Sequence, residues 1–336
     1  MTWKRLGLSI VGGIVMLGCG LSGSVDFSGL TKFQRHYTAP LFGGEDGNFA
    51  GDPHVVTEAE DAYRMVYTTD SGSDSQAIGM AISTDLITWL PVESAQYSDH
   101  RVLSGAGPAA GQLNQETAFY YKTPGGAHHI YYIGYDGTAE GAYVAQIYRA
   151  ISASNVLGPY TRETTPVVAL GAGGSDDDSA MTSPSIVEYN GVLYMVYTGW
   201  GDSPNSPDPA VTTMYATSSN NGTTWVKQGS LSWNDIFGVE AHIEKGPDGF
   251  YYRAGVVVDG GGNDAVTIGR AFSPLGPYET YPDVLTLGGA SVGEVASITS
   301  PSLLFHEDTA TLYMFYGAVD TGGFPWMTSL ARAIYR

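Results

Sequence analysis

The sequence predicts an all-β fold, specifically a five-bladed β-propeller whose blades are four-stranded antiparallel sheets. Composition is the first reason, because the 336 residues include 45 glycines and 23 tyrosines. Aromatic residues suit the pleated surface of a strand, whereas glycine suits the tight turns between strands. The other two reasons are a repeated strand pattern and its regular spacing.

One sequence pattern occurs five times, and its starts are roughly 60 residues apart. Each unit has a polar residue, a strand, a turn and then a tyrosine-rich second strand. That length accommodates four short strands with their loops, which together make one propeller blade. The units begin at Asp52, Glu116, Ser183, Glu240 and Ser300.

The third unit illustrates the pattern. Its first strand begins at Ser183, and its second runs from Leu193 to Tyr197. Asn190-Gly191 lies between them, and this pair is a strong hairpin signal because both turn residues tolerate positive φ. The unit therefore begins with a β-hairpin.

The two ends of the repeat predict how the ring closes. The fifth unit ends at Arg336, about one strand short of a full blade, whereas residues 33–42 precede the first unit and resemble an outer strand. An unpaired sheet edge is avoided in folded proteins, so we expect residues 33–42 to pair beside the last strand. The propeller domain is then expected to span residues 33–336.

The N-terminus predicts export. Lys4 and Arg5 precede an apolar run from Leu6 to Leu17, which is too short to span a bilayer but suits a signal peptide. The run ends at Gly18-Cys19 and resembles a bacterial lipoprotein cleavage box. Residues 1–19 are therefore predicted to be a signal peptide with lipidation at Cys19, the single cysteine of the chain. An ordinary signal peptide or an uncleaved anchor is the alternative.

This N-terminus also predicts where the protein resides. The Gly/Ser-rich residues 20–32 are expected to form a tether. The expected location is then the cell surface or periplasm of a bacterium, with a lipid anchor to the membrane. The formal net charge of −19 argues against nucleic acid as a partner, because phosphate backbones are bound by basic surfaces.

The starts of the five units predict the functional site. In a propeller the innermost strands surround a central channel, so the residues that open them meet at one mouth. Three of these residues are the carboxylates Asp52, Glu116 and Glu240. Neighbouring carboxylates raise one another's pKa, an arrangement that is costly unless it is used. Paired carboxylates are what hydrolysis of a glycosidic bond requires, which makes carbohydrate the expected substrate.

Two motifs resemble those of glycoside hydrolase family 43, which includes arabinanases, arabinofuranosidases and xylosidases. They are Gly51-Asp52-Pro53-His54-Val55 and Glu240-Ala241-His242-Ile243. The resemblance implies that Asp52 is the general base and Glu240 the general acid of an inverting reaction on an arabinose- or xylose-type substrate. Ser183 stands where the family has a third carboxylate, whose role is left to Glu116 or to an acid of Asp176-Asp177-Asp178.

The remaining site predictions concern substrate contacts and ions. His54, His242, Ser183 and Ser300 are expected to line the pocket, and Trp200 is expected in a loop where a sugar could stack on it. No cofactor is required. A calcium ion is left open without support, since Ser300 stands where some arabinanases have a histidine that helps to bind a central ion.

Three other function classes compete with a glycosidase. A non-catalytic surface propeller that binds glycan or protein is the alternative, and the missing carboxylate at Ser183 favours it. A sialidase needs an arginine cluster and a phosphorylase needs a cationic phosphate pocket. Both are disfavoured by the few arginines in the first four units, which are Arg64, Arg149, Arg253 and Arg270.

Overall fold

The computed structural model describes residues 33–35, 41, 50–70, 76–94, 96–97, 100–105, 112–136, 144–201, 211–231, 238–258, 260, 263–288, 296–306 and 311–319, and the backbone of 326–334. The predicted signal peptide, Cys19 and the tether of residues 20–32 lie outside the described residues. Among the residues that the structure describes, none belongs to a helix long and apolar enough to cross a membrane.

The described elements are twenty-one β-strands. Most are the alternating, β-branched and aromatic segments that the repeat predicts, since such residues pack well on a pleated surface. The strands are β1 Gln34–Arg35, β2 Ala50–Ala59, β3 Ala62–Asp70, β4 Gln76–Ser83, β5 Leu90–Pro91, β6 Arg101–Leu103, β7 Asn114–Lys122, β8 His128–Tyr135, β9 Gln146–Ser152, β10 Thr161–Arg162, β11 Ala180–Tyr189, β12 Val192–Trp200, β13 Val211–Ser218, β14 Val226–Ser230, β15 Val239–Lys245, β16 Tyr251–Val258, β17 Asp264–Ala271, β18 Glu279–Thr286, β19 Ser297–His306, β20 Thr311–Val319 and β21 Trp326–Ile334.

The strands form separate antiparallel sheets, which confirms the predicted all-β propeller class. Four sheets have four strands, in the orders β7-β8-β9-β10, β11-β12-β13-β14, β15-β16-β17-β18 and β19-β20-β21-β1. The sheet of the first unit has a fifth strand, because β6 pairs with β4 beside β2-β3-β4-β5. The expectation of four strands in each blade is therefore wrong for the first unit.

The last sheet is completed from the N-terminus, as predicted, by the beginning of the predicted segment 33–42; residues 36–40 and 42 lie outside the described residues. Gln34 and Arg35 of β1 pair with Arg332 and Ala331 of β21. The neighbouring Phe33 is 5% exposed and donates its backbone N–H to the carbonyl of Val284, 2.7 Å away. This segment therefore covers the edge of β21 and contributes to the packing between two sheets.

The core lies between neighbouring sheets. Each innermost strand contacts the next around a cycle: β2 with β7, β7 with β11, β11 with β15, β15 with β19, and β19 with β2. Buried side chains form a cluster in each of these five gaps between sheets; the gap between the third and fourth units contains Val187, Val196 and Tyr251. The residues at which the five predicted units begin are thereby brought together around one axis.

Candidate active site

Each innermost strand has a β-bulge at one equivalent position. The strand register shifts between Gly51 and His54, and equivalent shifts occur in the other four sheets. At every bulge a non-glycine residue has φ between 45° and 56°. Such conformations are uncommon outside glycine, and strained backbone is concentrated at functional sites. These five residues are Asp52, Thr117, Ser183, Glu240 and Ser300.

The second unit corrects one prediction. The residue equivalent to the other openers is Thr117, and the predicted opener Glu116 lies one position earlier in β7. The predicted position was wrong because Thr117 lacks both signals that mark the other four positions: a following proline, as after Asp52, Ser183 and Ser300, or the family-like motif that begins at Glu240. Glu116 is half-buried beside Tyr135, and its negative charge helps to raise the pKa of Glu240. Glu116 therefore lies within electrostatic reach of the site, beside the residues that line it.

A small cavity of about 40 Å³ lies at the axis where the bulges meet. Its lining residues come from the bulges of all five sheets, and none of them is lysine or arginine. Asp52 and Glu240 both line it, as predicted, together with Ser183 and Ser300. The cavity therefore brings together carboxyl and hydroxyl groups from residues far apart in the sequence.

Ser300 joins the two carboxyl groups of the cavity. Its hydroxyl donates to Oδ1 of Asp52 at 2.6 Å, and its backbone N–H donates to Oε2 of Glu240 at 2.8 Å. Because the amide nitrogen and hydroxyl oxygen of one serine are about 3 Å apart, the two bonded carboxyl oxygens are at most about 8.5 Å apart. The two groups therefore face the same small space.

The surroundings of the two carboxyl groups differ. Burial and the negative charge of Asp52 raise the pKa of Glu240 to about 8. Burial also raises the pKa of Asp52, but hydrogen bonds from Ser300, Thr68 and the backbone of Thr117 oppose that rise. The pair therefore favours the proton on Glu240 rather than on Asp52, the distribution that a general acid beside a general base requires.

A second layer of side chains lies two residues beyond the bulges. His54 Nδ1 accepts the backbone N–H of Tyr120 at 3.0 Å, and His242 Nδ1 accepts that of Leu303 at 3.1 Å. Ser185 and Ser302 accept N–H groups from Ile243 and Val55 in the same way. Each of these four side chains thereby ties its own sheet to the next sheet around the ring.

Both histidines line the cavity as predicted, although they are buried beneath the carboxyl groups. His54 stacks on Phe119 with ring centroids 3.9 Å apart, and lies 5.5 Å from His242. Burial lowers the pKa of His242 to about 3 and also lowers that of His54. Since Nδ1 accepts in each neutral ring, Nε2 carries the proton and is a donor. Such a nitrogen is not available as a metal ligand in this tautomer.

The other predicted residues have different surroundings. Ser183 lines the cavity, and its buried hydroxyl has no hydrogen-bond partner. Trp200 is the last residue of β12, contrary to the expected loop, and its Nε1 donates to Thr182 Oγ1 at 3.3 Å outside the cavity lining. Asp177 is 1% exposed and forms an ion pair with Lys227 at 2.5 Å, so it is part of the packing rather than of the cavity.

Sequence reasoning missed the threonines that support the site. Thr68 Oγ1 accepts the N–H of Thr117 at 2.9 Å, and Thr198 Oγ1 accepts the N–H of Glu240 at 3.2 Å. Both lie in second strands of their sheets, in the equivalent segments Tyr67-Thr68 and Tyr197-Thr198. That shared Tyr-Thr pair is the signal that could have found them. Within the described part of the chain, no group of three or more acidic, histidine or cysteine side chains could hold a metal ion.

Comparisons with known proteins concern the family and the fold of the chain. The family description "Glycosyl hydrolases family 43" matches residues 47–331. No curated protein matches the chain. Among solved structures, a BT0996 RGII complex is similar with a TM-score of 0.70 and 16% identity, over 90% of this protein and 92% of that one.

Two further solved structures share the fold. An α-L-arabinofuranosidase from Podospora anserina in complex with cellotriose has a TM-score of 0.60 and 14% identity, over 91% of this protein and 98% of that one. An N-acetylgalactosamine deacetylase from F. plautii in complex with blood group B trisaccharide has a TM-score of 0.62 and 15% identity, over 90% and 95% respectively. At these identities the similarity concerns the fold alone.

Proposed function

We propose that this chain, which belongs to glycosyl hydrolases family 43 and is a glycosidase, cleaves its glycosidic bond with inversion at the anomeric carbon. Asp52 is the general base and Glu240 the general acid. The observation that carries the proposal is the hydrogen-bonded series Asp52–Ser300–Glu240 at one cavity. Its upper limit of about 8.5 Å is compatible with the roughly 6.5–9.5 Å separation of the carboxyls in inverting enzymes and also with the roughly 5–5.5 Å of retaining enzymes, so product stereochemistry decides between them.

The proposed reaction has one displacement step. Asp52 accepts a proton from a water molecule, whose oxygen attacks the anomeric carbon. Glu240 donates its proton to the departing glycosidic oxygen on the other face of the sugar. Its pKa of about 8 supports this role, because the group is protonated at neutral pH. Asp52 retains the charge that a base needs through its hydrogen-bond donors.

The proposed substrate is a neutral sugar of the arabinose or xylose type. Its neutrality is supported by the described lining of the cavity, which contains acids and hydroxyls but no lysine or arginine. A carboxylated or phosphorylated sugar would meet repulsion from Asp52 without a cation to compensate. The name of the Podospora anserina arabinofuranosidase, a structural neighbour, supports arabinose. His54, His242, Ser183 and Ser300 are proposed to contact the sugar, and Trp200 is proposed to lie nearer its outer part.

Product stereochemistry tests the proposed reaction. The protein is incubated with aryl arabinofuranosides, xylosides and N-acetylgalactosaminides, and the first product is observed by proton NMR. We expect cleavage of a pentoside and a first product of opposite anomeric configuration. A first product of unchanged configuration would contradict inversion, and absence of cleavage of any glycoside would contradict the proposed substrate class.

Ring closure and domain extent complete the proposal. The cycle of contacts between innermost strands and the five inter-sheet clusters support a single five-bladed ring over residues 33–336. Limited proteolysis tests this extent: a single resistant fragment of this range is expected, whereas two resistant fragments would contradict one domain.

Export and anchoring are supported by the N-terminal sequence. Residues 1–19 are proposed to be a lipoprotein signal peptide, with Cys19 lipidated and residues 20–32 as a tether to a bacterial membrane. In a bacterial host the protein is expected in the membrane fraction, and Cys19→Ala is expected to move it to the soluble exported fraction. A wild-type protein that is already soluble after export would overturn the anchor.

A further inference from the structure

Ser300 makes contacts that distinguish it from the other bulge residues. The N–H groups of Thr117, Ser183 and Glu240 each donate to a neutral threonine hydroxyl, namely Thr68, Thr117 and Thr198. The N–H of Ser300 instead donates to a carboxyl oxygen of Glu240. Its hydroxyl also donates to the other carboxyl group of the site. One residue is thus bonded to both members of the proposed acid–base pair.

The contact with Glu240 determines where the acidic proton lies. A backbone N–H is always a donor, so Oε2 must accept in either protonation state of Glu240. The carbonyl oxygen of a neutral carboxyl group is a better acceptor than its O–H oxygen, so this contact favours Oε2 as the carbonyl oxygen and Oε1 as the oxygen that carries the transferable proton. The left-handed backbone at Ser300, with φ 45°, accompanies this orientation of the N–H.

The contact with Asp52 favours the ionised form of that group. The O–H···O separation of 2.6 Å is in the range of hydrogen bonds to an ionised carboxylate, which are roughly 2.5–2.7 Å long. A donor to the charged form favours that form. The resulting charge on Asp52 is in turn one of the two main reasons why Glu240 remains protonated, and Glu116 adds to the same effect. The hydrogen bonds from Ser300 lower the pKa of Glu240, but burial and the charge of Asp52 outweigh them.

We propose that Ser300 is a positioning residue for the pair: its hydroxyl favours the ionised form of Asp52, the base, and its N–H holds Oε2 of Glu240 so that the transferable proton is on Oε1. This inference rests on the proposed function of the same cavity. Ser183, the equivalent residue of the third sheet, also lines the cavity, but its hydroxyl has no such contact. The serine of the fifth sheet is therefore the one that acts on the pair.

The test compares Ser300→Ala with the wild type by two readouts. The first is titration of carbon-13-labelled Asp52 and Glu240 by NMR in the free protein, which needs no activity. The second is the pH profile of kcat/KM on an aryl glycoside. We expect the Asp52 titration and the acid limb of the profile to move to higher pH, and kcat/KM at acidic pH to fall about tenfold, because a hydrogen bond to a charged group is lost.

Two further variants separate positioning from a general structural effect. Ser300→Thr keeps the hydroxyl and is expected to restore both readouts; Thr117 already occupies an equivalent bulge with φ 47°. Ser183→Ala removes the equivalent hydroxyl and is expected to leave the acid limb in place, whatever its effect on KM. If Ser300→Ala does not fold, Ser300→Gly removes the same hydroxyl and suits the positive φ.

The outcomes distinguish this inference from the proposed function. An unchanged Asp52 titration in Ser300→Ala or Ser300→Gly would overturn the positioning role, even if the wild type hydrolyses glycosides. An equal shift in Ser183→Ala would also overturn it. A shifted titration in a protein that cleaves no glycoside would support the role of Ser300 and contradict the proposed function.

Discussion

Two layers of the central channel have the same symmetry and differ in what their side chains do. In the second layer, four of the five side chains accept a backbone N–H from the next sheet, through His54, Ser185, His242 and Ser302. In the first layer the five bulges share one backbone conformation but carry different groups. The repeated contact of the second layer holds the ring together. The side chains of the first layer differ from sheet to sheet, and two of them are the carboxyl groups of the site.

The difference indicates how a repeated fold supports a single site. Closing a ring needs the same contact at each junction, so side chains of similar hydrogen-bonding capacity recur there. A glycosidase needs two unlike carboxyl groups on opposite faces of a sugar, and a symmetric arrangement cannot supply them. The bulge provides one strained position per sheet, and the residue placed in it decides the chemistry.

The largest expected effect concerns the first layer. Asp52→Asn and Glu240→Gln should each lower kcat on an unactivated glycoside by about 10²–10⁴-fold, the usual contribution of a general base or acid. Steady-state kinetics measure the loss, and circular dichroism checks the fold. Glu244→Gln is the matched control: Glu244 lies on the same strand and burial raises its pKa to about 7, but it lines a different cavity. An equal loss of kcat in Glu244→Gln would show that the effect does not depend on the position of Glu240 in the site cavity, and would contradict its role as the acid.

Substitution in the second layer should instead affect stability. His242→Ala leaves the buried N–H of Leu303 without its acceptor, so the free energy of unfolding should fall by about 1–3 kcal/mol. Denaturant titration measures this change. His242→Asn, which retains an acceptor, should recover part of the loss. If His242→Ala unfolds at the same denaturant concentration as the wild type, the contact between sheets does not stabilise the ring.

The two layers should respond oppositely to pH. The folded-state pKa of Glu240 lies above its ordinary value of 4.5, so its contribution to stability is present below about pH 4.5 and is lost as pH rises through 8. The folded-state pKa of His242 lies below 6.5, so its contribution is present above that pH and is lost as pH falls towards 3. Glu240→Gln should therefore gain stability relative to wild type at pH 9, and His242→Asn at pH 4. Melting temperatures at the two pH values measure this, and gains at the reversed pH values would contradict the assignment.

The smallest effect is expected at Glu116. Its charge raises the pKa of Glu240 less than burial and the charge of Asp52 do. Glu116 also lies beside the cavity rather than in its lining. Glu116→Gln should therefore shift the alkaline limb of the kcat/KM profile slightly to lower pH and reduce kcat only a few-fold, as expected for a residue that makes no proton transfer. A loss as large as that of Glu240→Gln would make Glu116 a direct participant.

The sequence predicted the fold and four of the five bulge residues, because strand alternation and the proline after Asp52, Ser183 and Ser300 recur visibly. It misplaced the fifth, since a bulge adds one unpaired residue and Thr117 has neither a following proline nor a motif like that at Glu240 to mark the position. The bridge through Ser300 could not be predicted. It depends on the direction of one N–H at positive φ, which no composition or spacing records.

The dependence of rate on leaving group tests the assignment of acid and base most directly. The kcat/KM of wild type, Asp52→Asn and Glu240→Gln is measured on aryl glycosides of one sugar with leaving groups of decreasing pKa. A leaving group that needs little protonation should restore much of the activity of Glu240→Gln and almost none of that of Asp52→Asn. Equal rescue of both variants, or rescue of Asp52→Asn alone, would contradict the proposed roles of the two carboxyl groups.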